Sequence, residues 1–196
     1  MAEMKSAFER AMEKAEALGK ASEEDLARWK YVPEGQKLAA RYLKGEGDLI
    51  AELDKYDDSA RKHIGQGAQG VLLGNIDLPR SDFIKARNKR ALDAIKAIKS
   101  DRTSLNKVYA NIKNIFDHYE QQGTQQRRQV YESLRQDFEA RIRQAVEQQL
   151  GPTATTRINI DNHPQFQEEW RHALGQLDSQ YQKLLDEYKK EVLNIP

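Results

Sequence analysis

Residues 164–192 read PQFQEEWRHALGQLDSQYQKLLDEYKKEV, and apolar side chains recur along this stretch at intervals of three or four residues. The recurring positions are Phe166, Trp170, Leu174, Leu177, Tyr181, Leu184, Tyr188 and Val192. This spacing is close to a heptad, which places one apolar seam along a helix. The stretch therefore predicts a helix of about 30 residues, roughly 45 Å long, that packs against other helices along this seam.

A long amphipathic pattern precedes this seam. Apolar residues recur every three, four or seven positions from Ile84 to Tyr119, and on a helix they cover a stripe about 80° wide. The pattern predicts one helix of about 40 residues that starts near Ser81. The apolar residues before and after the polar run Ser100–Ser104 fall on the same face of this helix. The sequence leaves open whether the helix bends at this run.

A second such pattern runs from Val130 to Leu150, after Gly123-Thr124, which predicts a turn. Helices that are joined by short turns lie antiparallel to their neighbours. Residues 80–196 are therefore expected to form a coiled-coil-like bundle of long antiparallel helices. Gln is concentrated in this half of the chain, where 14 of the 17 Gln residues follow residue 120, and we interpret it as uncharged helix surface.

Residues 1–78 predict shorter helices that pack on the bundle. The stretch Phe8–Leu18 has helical spacing of its apolar residues, and Ser22 and Asp25 match a capping box. Pro33 predicts the start of a separate helix, because proline is well tolerated in a first helical turn. Since no segment shows sustained strand-like alternation, the predicted fold class is all-α, with both parts in one structural unit.

The composition limits the chemistry of the chain. Its 196 residues include 32 Lys and Arg, 31 Asp and Glu, and no Cys. The lack of Cys excludes disulfides, thiolate catalysis and Cys-based zinc or iron–sulfur sites. No Walker-type or nucleophile-elbow motif occurs, so neither an enzymatic activity nor a cofactor is predicted. Because no apolar run approaches the roughly 20 residues of a membrane span and no secretory signal pattern is seen, a cytoplasmic location is expected.

One glycine-rich run matches a nucleotide-binding pattern by its letters. Residues 65–70 read GQGAQG, which has the G-x-G-x-x-G spacing of dinucleotide-binding loops. Such a loop follows a strand and opens a new helix, whereas a helix-like stretch precedes it here. We therefore favour a role for Gly65–Gly70 in close helix packing or in a bend, and the sequence leaves open whether it is helix or loop.

Two residues of the last helix have metal-ligand spacing. Glu168 and His172 are four residues apart and share a helix face, and Asp161 and His163 lie in the preceding linker. A metal site without Cys needs three or four convergent ligands, and local geometry places only two. A surface hydrogen-bonded pair is the favoured interpretation. Whether Glu168 and His172 bind a metal is left open, and no metal site is predicted.

A basic stretch is the best candidate for a binding surface. Residues 80–113 carry 10 basic and 3 acidic residues. If they form one helix, five lysines fall within about 80° of one another and span about 33 Å. They are Lys85, Lys89, Lys96, Lys99 and Lys107. Such a row could follow a phosphate backbone, but no aromatic residue lies within it to stack on bases. A solvated face, or one that pairs with acidic helices, is therefore favoured.

These observations predict a non-enzymatic helical interaction or scaffold protein. Long helices with a thin core suit self-association or the docking of a partner helix, and a homo-oligomer is expected. The alternative is a nucleic-acid-associated protein that uses the lysine row. The identity of the partner and the oligomeric state cannot be read from the sequence.

Several short blocks of the chain resemble a known family. They are Ala7–Glu16, Ala68–Arg80, Asn88–Ala91 and Pro164–Arg171. Together they resemble an uncharacterised bacterial family of short all-helical proteins. The resemblance implies a bacterial origin and a domain of unknown function, and it carries over no catalytic or binding residue.

Overall fold

The computed structural model describes Gly19, residues 22–151 and residues 159–196. The described residues form six α-helices and one short 3₁₀ turn, and they contain no strand, so the all-α prediction is confirmed. The helices are α1 (Glu23–Lys44), α2 (Leu49–Leu53), α3 (Asp58–Gly74), α4 (Asp82–Ile98), α5 (Arg102–Leu150) and α6 (Pro164–Asn194), and the 3₁₀ turn is Ile160–Asn162. The helix predicted over Phe8–Leu18 lies outside the described residues.

The chain divides into two compact units. One holds the described residues up to Asn75 together with Asp93–Ile98, and the other holds Ile76–Leu92 and the described residues from Lys99 onward. None of the helices in the described ranges combines the length and the apolar character that a membrane span requires.

The first unit is organised by a close crossing of α1 and α3. A Cβ atom on Gly35 would collide with the carbonyl oxygen of Ile64, and one on Gly67 would collide with that of Val32. The two helix backbones therefore touch, which only glycine allows. The run Gly65–Gly70 lies wholly inside α3, so its predicted role in helix packing is confirmed and no phosphate-binding loop is formed.

The start of α1 follows the sequence pattern, but its middle does not. Ser22 caps the helix through a reciprocal capping box with Asp25, as predicted. Pro33 does not begin a separate helix, because α1 runs through it from Glu23 to Lys44. An interior proline costs one backbone hydrogen bond, and the close packing of α1 on α3 at Gly35 holds the helix together there.

The second unit contains two long helices in its described part. The contacts between α5 and α6 join Tyr119 to Asp178 and Arg141 to Glu169. Residues late in α5 thus meet residues early in α6, and the two helices run in opposite directions. An antiparallel pair is present, but the larger antiparallel bundle predicted for residues 80–196 is not confirmed.

Two helix boundaries in this unit differ from the prediction. The helix predicted from Ser81 to Tyr119 is two helices, because Asp101 accepts the backbone N–H groups of Thr103 and Ser104 and starts α5 afresh. The turn predicted at Gly123-Thr124 is absent, and α5 continues for 49 residues. A Cβ atom on Gly123 would lie 3.3 Å from the Tyr181 hydroxyl, so this glycine makes room for a neighbouring helix.

The core of this unit is narrow, as expected for helix seams. Phe138, Ile160 and Phe166 form one buried cluster, against which Tyr131, Leu134 and Ile142 pack. At the other end of α6, Leu185 and Val192 are fully buried. Leu184, which was predicted to lie in the seam, is 47% exposed instead.

Candidate interaction groove

A groove lies between α5 and α6 in the second unit. It encloses about 410 Å³ and is the candidate functional site. Its α5 wall consists of Asn111, Asn114, Ile115, His118 and Gln126. Its α6 wall consists of Gln180, Tyr181, Leu184 and Tyr188. None of these nine side chains is a carboxylate, an ammonium or a guanidinium group.

The α5 wall belongs to a longer uncharged surface of that helix. At 100° per residue, the positions within about 60° of Asn111, up to Gln129, fall on one side of the helix. They are Asn111, Asn114, Ile115, His118, Gln122, Gln125, Gln126 and Gln129, which we call the amide stripe. Ile115 is buried, and the others are exposed or half-buried. The stripe offers amide donors and acceptors without a charge.

The α6 wall supplies the apolar surface of the groove. Tyr181 and Tyr188 are half-buried and Leu184 is 47% exposed, although all three have seam spacing. Neighbouring Leu185 takes the place in the core that the seam pattern gives to Leu184. The apolar surface of α6 is therefore wider than its contact with α5, and the surplus faces the groove.

Tyr181 joins the two walls. Its hydroxyl lies 2.9 Å from Nδ1 of His118 and 3.4 Å from Oε1 of Gln126, to which it donates. Its ring meets the Tyr119 ring edge to face, with 5.1 Å between centroids. Tyr181 is thus held in place by contacts with α5 on one side of the groove.

A partly buried polar network connects α5 to α6 beside the groove. The Tyr119 hydroxyl donates to Asp178 at 3.0 Å, and Arg80 donates to the other oxygen of the same carboxylate at 3.1 Å. The Arg127 guanidinium lies 4.3 Å from the centre of the Tyr119 ring. Burial, and then the bond to Asp178, raises the pKa of Tyr119. Tyr119 therefore stays a hydrogen-bond donor at neutral pH and fixes the spacing between α5 and α6.

The five lysines of the predicted row do not share one helix. Lys85 and Lys89 are exposed on α4, Lys96 lies in the part of α4 that belongs to the first unit, and Lys107 is exposed on α5. Lys99 lies between the helices, where it is buried and donates to the Ile195 carbonyl. Its placement on an exposed row was wrong, because the helix ends at Ile98.

Two of these lysines are also engaged with other groups. Lys85 Nζ lies 2.9 Å from a Glu120 oxygen and 3.5 Å from an Asp82 oxygen. The hydrogen bond to Glu120 is the main reason that the pKa of Lys85 is raised. Burial lowers the pKa of Lys99. The basis of the nucleic-acid hypothesis, one row on one helix, is absent.

The residues considered as metal ligands do not come together at one point. Glu168 and His172 are both exposed on α6. Asp161 accepts from the Tyr131 hydroxyl at 2.7 Å and from Arg135 at 3.2 Å, while the His163 ring packs on Phe138. Within residues 22–151 and 159–196, no group of three or more His, Asp or Glu residues is placed to hold a metal ion.

The sequence pattern did not reveal the groove, although both of its signals are present. The amides of α5 have helical spacing from Asn111 to Gln129, but the Gln-rich half was interpreted as plain surface. The seam spacing predicts that Tyr181, Leu184 and Tyr188 lie in the core. The spacing does not show how many helices surround α6, so it does not reveal that part of this seam stays open.

Comparison with known proteins gives a family but no activity. A model for a family of unknown function, DUF6657, matches residues 50–194. No curated protein and no solved structure matches the chain. The matched range includes both helices that form the groove and confirms the expected resemblance to an uncharacterised family. The chain therefore belongs to the family of unknown function DUF6657.

Proposed function

We propose that this protein is a non-enzymatic interaction protein that docks an amphipathic helix in the groove between α5 and α6. The observation that carries the proposal is the uncharged groove itself, where the half-exposed Leu184 lies beside Tyr181 and Tyr188. Helix-in-groove recognition uses this combination, in which an apolar helix face enters a preformed apolar channel.

The groove has the chemistry to hold such a helix. Covering the exposed half of Leu184 contributes about 1 kcal/mol, because full burial of a leucine contributes roughly 1.5–3 kcal/mol. The two tyrosines add apolar area while their hydroxyls stay available for hydrogen bonds. The amide stripe borders the groove and can pair with polar groups along the rim of the docked helix.

Photo-crosslinking from the groove tests this function and captures whichever protein lies in it. Benzoylphenylalanine is placed at Leu184, and as a matched control at Leu193, which is similarly exposed on α6 (51%) but lies outside the groove. Illumination of intact cells is expected to give a discrete protein adduct from position 184 and none from position 193. Intact bacterial cells match the cytoplasmic location expected from the sequence and the bacterial origin that the family resemblance implies.

Peptide mapping then identifies the crosslinked segment. The proposal requires a helical segment with an uncharged face, and a Tyr188→Glu substitution is expected to abolish the adduct by placing a charge in the groove. Equal labelling from positions 184 and 193, or no adduct from position 184, would contradict the docking function.

A further inference from the structure

We propose that the helix docked in the groove is α5 of a second copy of this chain, so that the two α5–α6 pairs complete a four-helix bundle around a two-fold axis near His118. This inference rests on the proposed docking function and names its partner. It commits to one arrangement, in which the two α5 helices are antiparallel and their amide stripes face each other.

The first argument is that the groove is self-complementary. A two-fold interface brings one patch against an identical patch, so a charge at the axis meets its own sign and a charge elsewhere needs an opposite charge at the facing position. The amide stripe carries no charged side chain over 19 residues of a chain in which 32% of residues are charged. A side-chain amide both donates and accepts, so a stripe of amides can pair with its own copy.

The second argument is architectural. Two antiparallel helices have one buried seam between them, and two such pairs packed face to face form a four-helix bundle with a closed core. One open face of this pair is the groove, where Tyr181, Leu184 and Tyr188 of α6 lie. A second pair on this face would cover Leu184 and Tyr188 of both copies in one interface.

The third argument fixes the register. On α5 the lining residues run from Asn111 to Gln126, and His118 lies at the middle of this range. An axis at His118 therefore places the whole groove of one copy on the groove of the other. It brings Asn111 opposite Gln125, and Asn114 opposite Gln122. Antiparallel α5 helices also align their dipoles favourably.

A two-fold contact closes on itself, so the expected assembly is a dimer. Light scattering on a sizing column is expected to give twice the mass of the 22.6 kDa chain. Leu184→Glu should convert the dimer to monomer, whereas Leu193→Glu, at similar exposure on the same helix, should leave it dimeric. A wild-type monomer at all accessible concentrations would overturn the inference.

The register is tested by disulfide trapping, which the Cys-free sequence allows without background. Disulfides need Cα atoms roughly 4.4–6.8 Å apart. Asn114→Cys and Gln122→Cys are expected to stay uncrosslinked alone and to form a heterodimer when mixed. Asn111→Cys and Gln125→Cys should behave in the same way. His118→Cys, at the axis, should crosslink to itself.

The outcomes separate this inference from the function on which it rests. Self-crosslinking at all five positions would show parallel helices and overturn the proposed axis. A monomeric protein whose position 184 crosslinks to a different protein in cells would overturn self-pairing and leave helix docking intact. A monomer with no groove adduct would overturn both.

Discussion

At the scale of single residues, Gly67 and Gly70 belong to one glycine-rich run but meet different surroundings. A Cβ atom on Gly67 would collide with a backbone carbonyl of α1, whereas one on Gly70 would meet nothing within 4 Å. We expect Gly67→Ala to lower the free energy of unfolding by about 1–3 kcal/mol, as overpacking does. Gly70→Ala should raise it by about 0.5–1 kcal/mol, because alanine restricts the unfolded chain and favours helix.

Urea unfolding monitored by circular dichroism measures both variants against wild type. Gly70→Ala serves as the matched control, since it makes the same chemical change on the same helix. If both substitutions stabilised the protein, α1 and α3 would not be in backbone contact at Gly67.

Residues 184 and 185 show what the sequence could and could not predict at this scale. Both are leucines on α6, and the seam spacing selects Leu184 for the core. The structure buries Leu185 fully and leaves Leu184 at 47% exposure. Adjacent positions on a helix differ by only 100°, so the choice depends on where α5 lies, which one sequence pattern does not specify.

At the scale of helices, Asp101 separates α4 from α5. Hydrogen bonds from Ser104, and then from the Thr103 backbone, lower the pKa of Asp101 below its usual 3.8. A carboxyl whose folded-state pKa is lowered stabilises the fold above its unfolded-state pKa, and this stabilisation is lost as the pH falls through the folded-state pKa. Asp101→Ala should therefore lower the Tm at pH 7, and its deficit against wild type should shrink toward pH 2.

Thermal unfolding at several pH values checks this expectation. Asp117→Ala is the control, because Asp117 is exposed further along the same helix and does not cap it. A deficit for Asp101→Ala that stayed constant from pH 7 to pH 2 would show that its carboxylate is not the cap of α5.

A helix end could be predicted where residues close in sequence form its cap. It could not be predicted where packing against another helix decides whether the helix continues. The capping box of Ser22 and Asp25 involves four consecutive residues, and it was predicted correctly. Gly123 and Pro33 have the pattern of helix ends, but packing on another helix keeps each inside a longer one. The sequence does not reveal the break before Arg102, because the helical spacing of the apolar residues continues across it.

At the scale of the whole molecule, the charges nearly balance, and two lysines of the predicted row contact other groups of their own unit. The net charge is +1, Lys85 is paired with Glu120, and Lys99 is buried. We therefore expect the purified protein to elute without excess absorbance at 260 nm at both low and high salt, since nucleic-acid binding depends on neutralised phosphates.

The same column run can also contradict this expectation. A 260 nm excess that disappears at high salt, and that Lys89→Glu abolishes, would restore the nucleic-acid hypothesis. Lys183→Glu, a charge reversal at an exposed position on α6, is the control for an unspecific effect of charge.

The continuity of α5 has a mechanical consequence. Its 49 residues form an unbroken rod about 73 Å long, and residue 118 lies roughly 48 Å from the far end. A tilt of about 5° at the groove moves that end by roughly 4 Å, because the displacement grows with the length of the arm. A rigid tilt of α5 at the groove is therefore magnified along the length of this arm, and the displacement is largest at the end of the helix near Leu150.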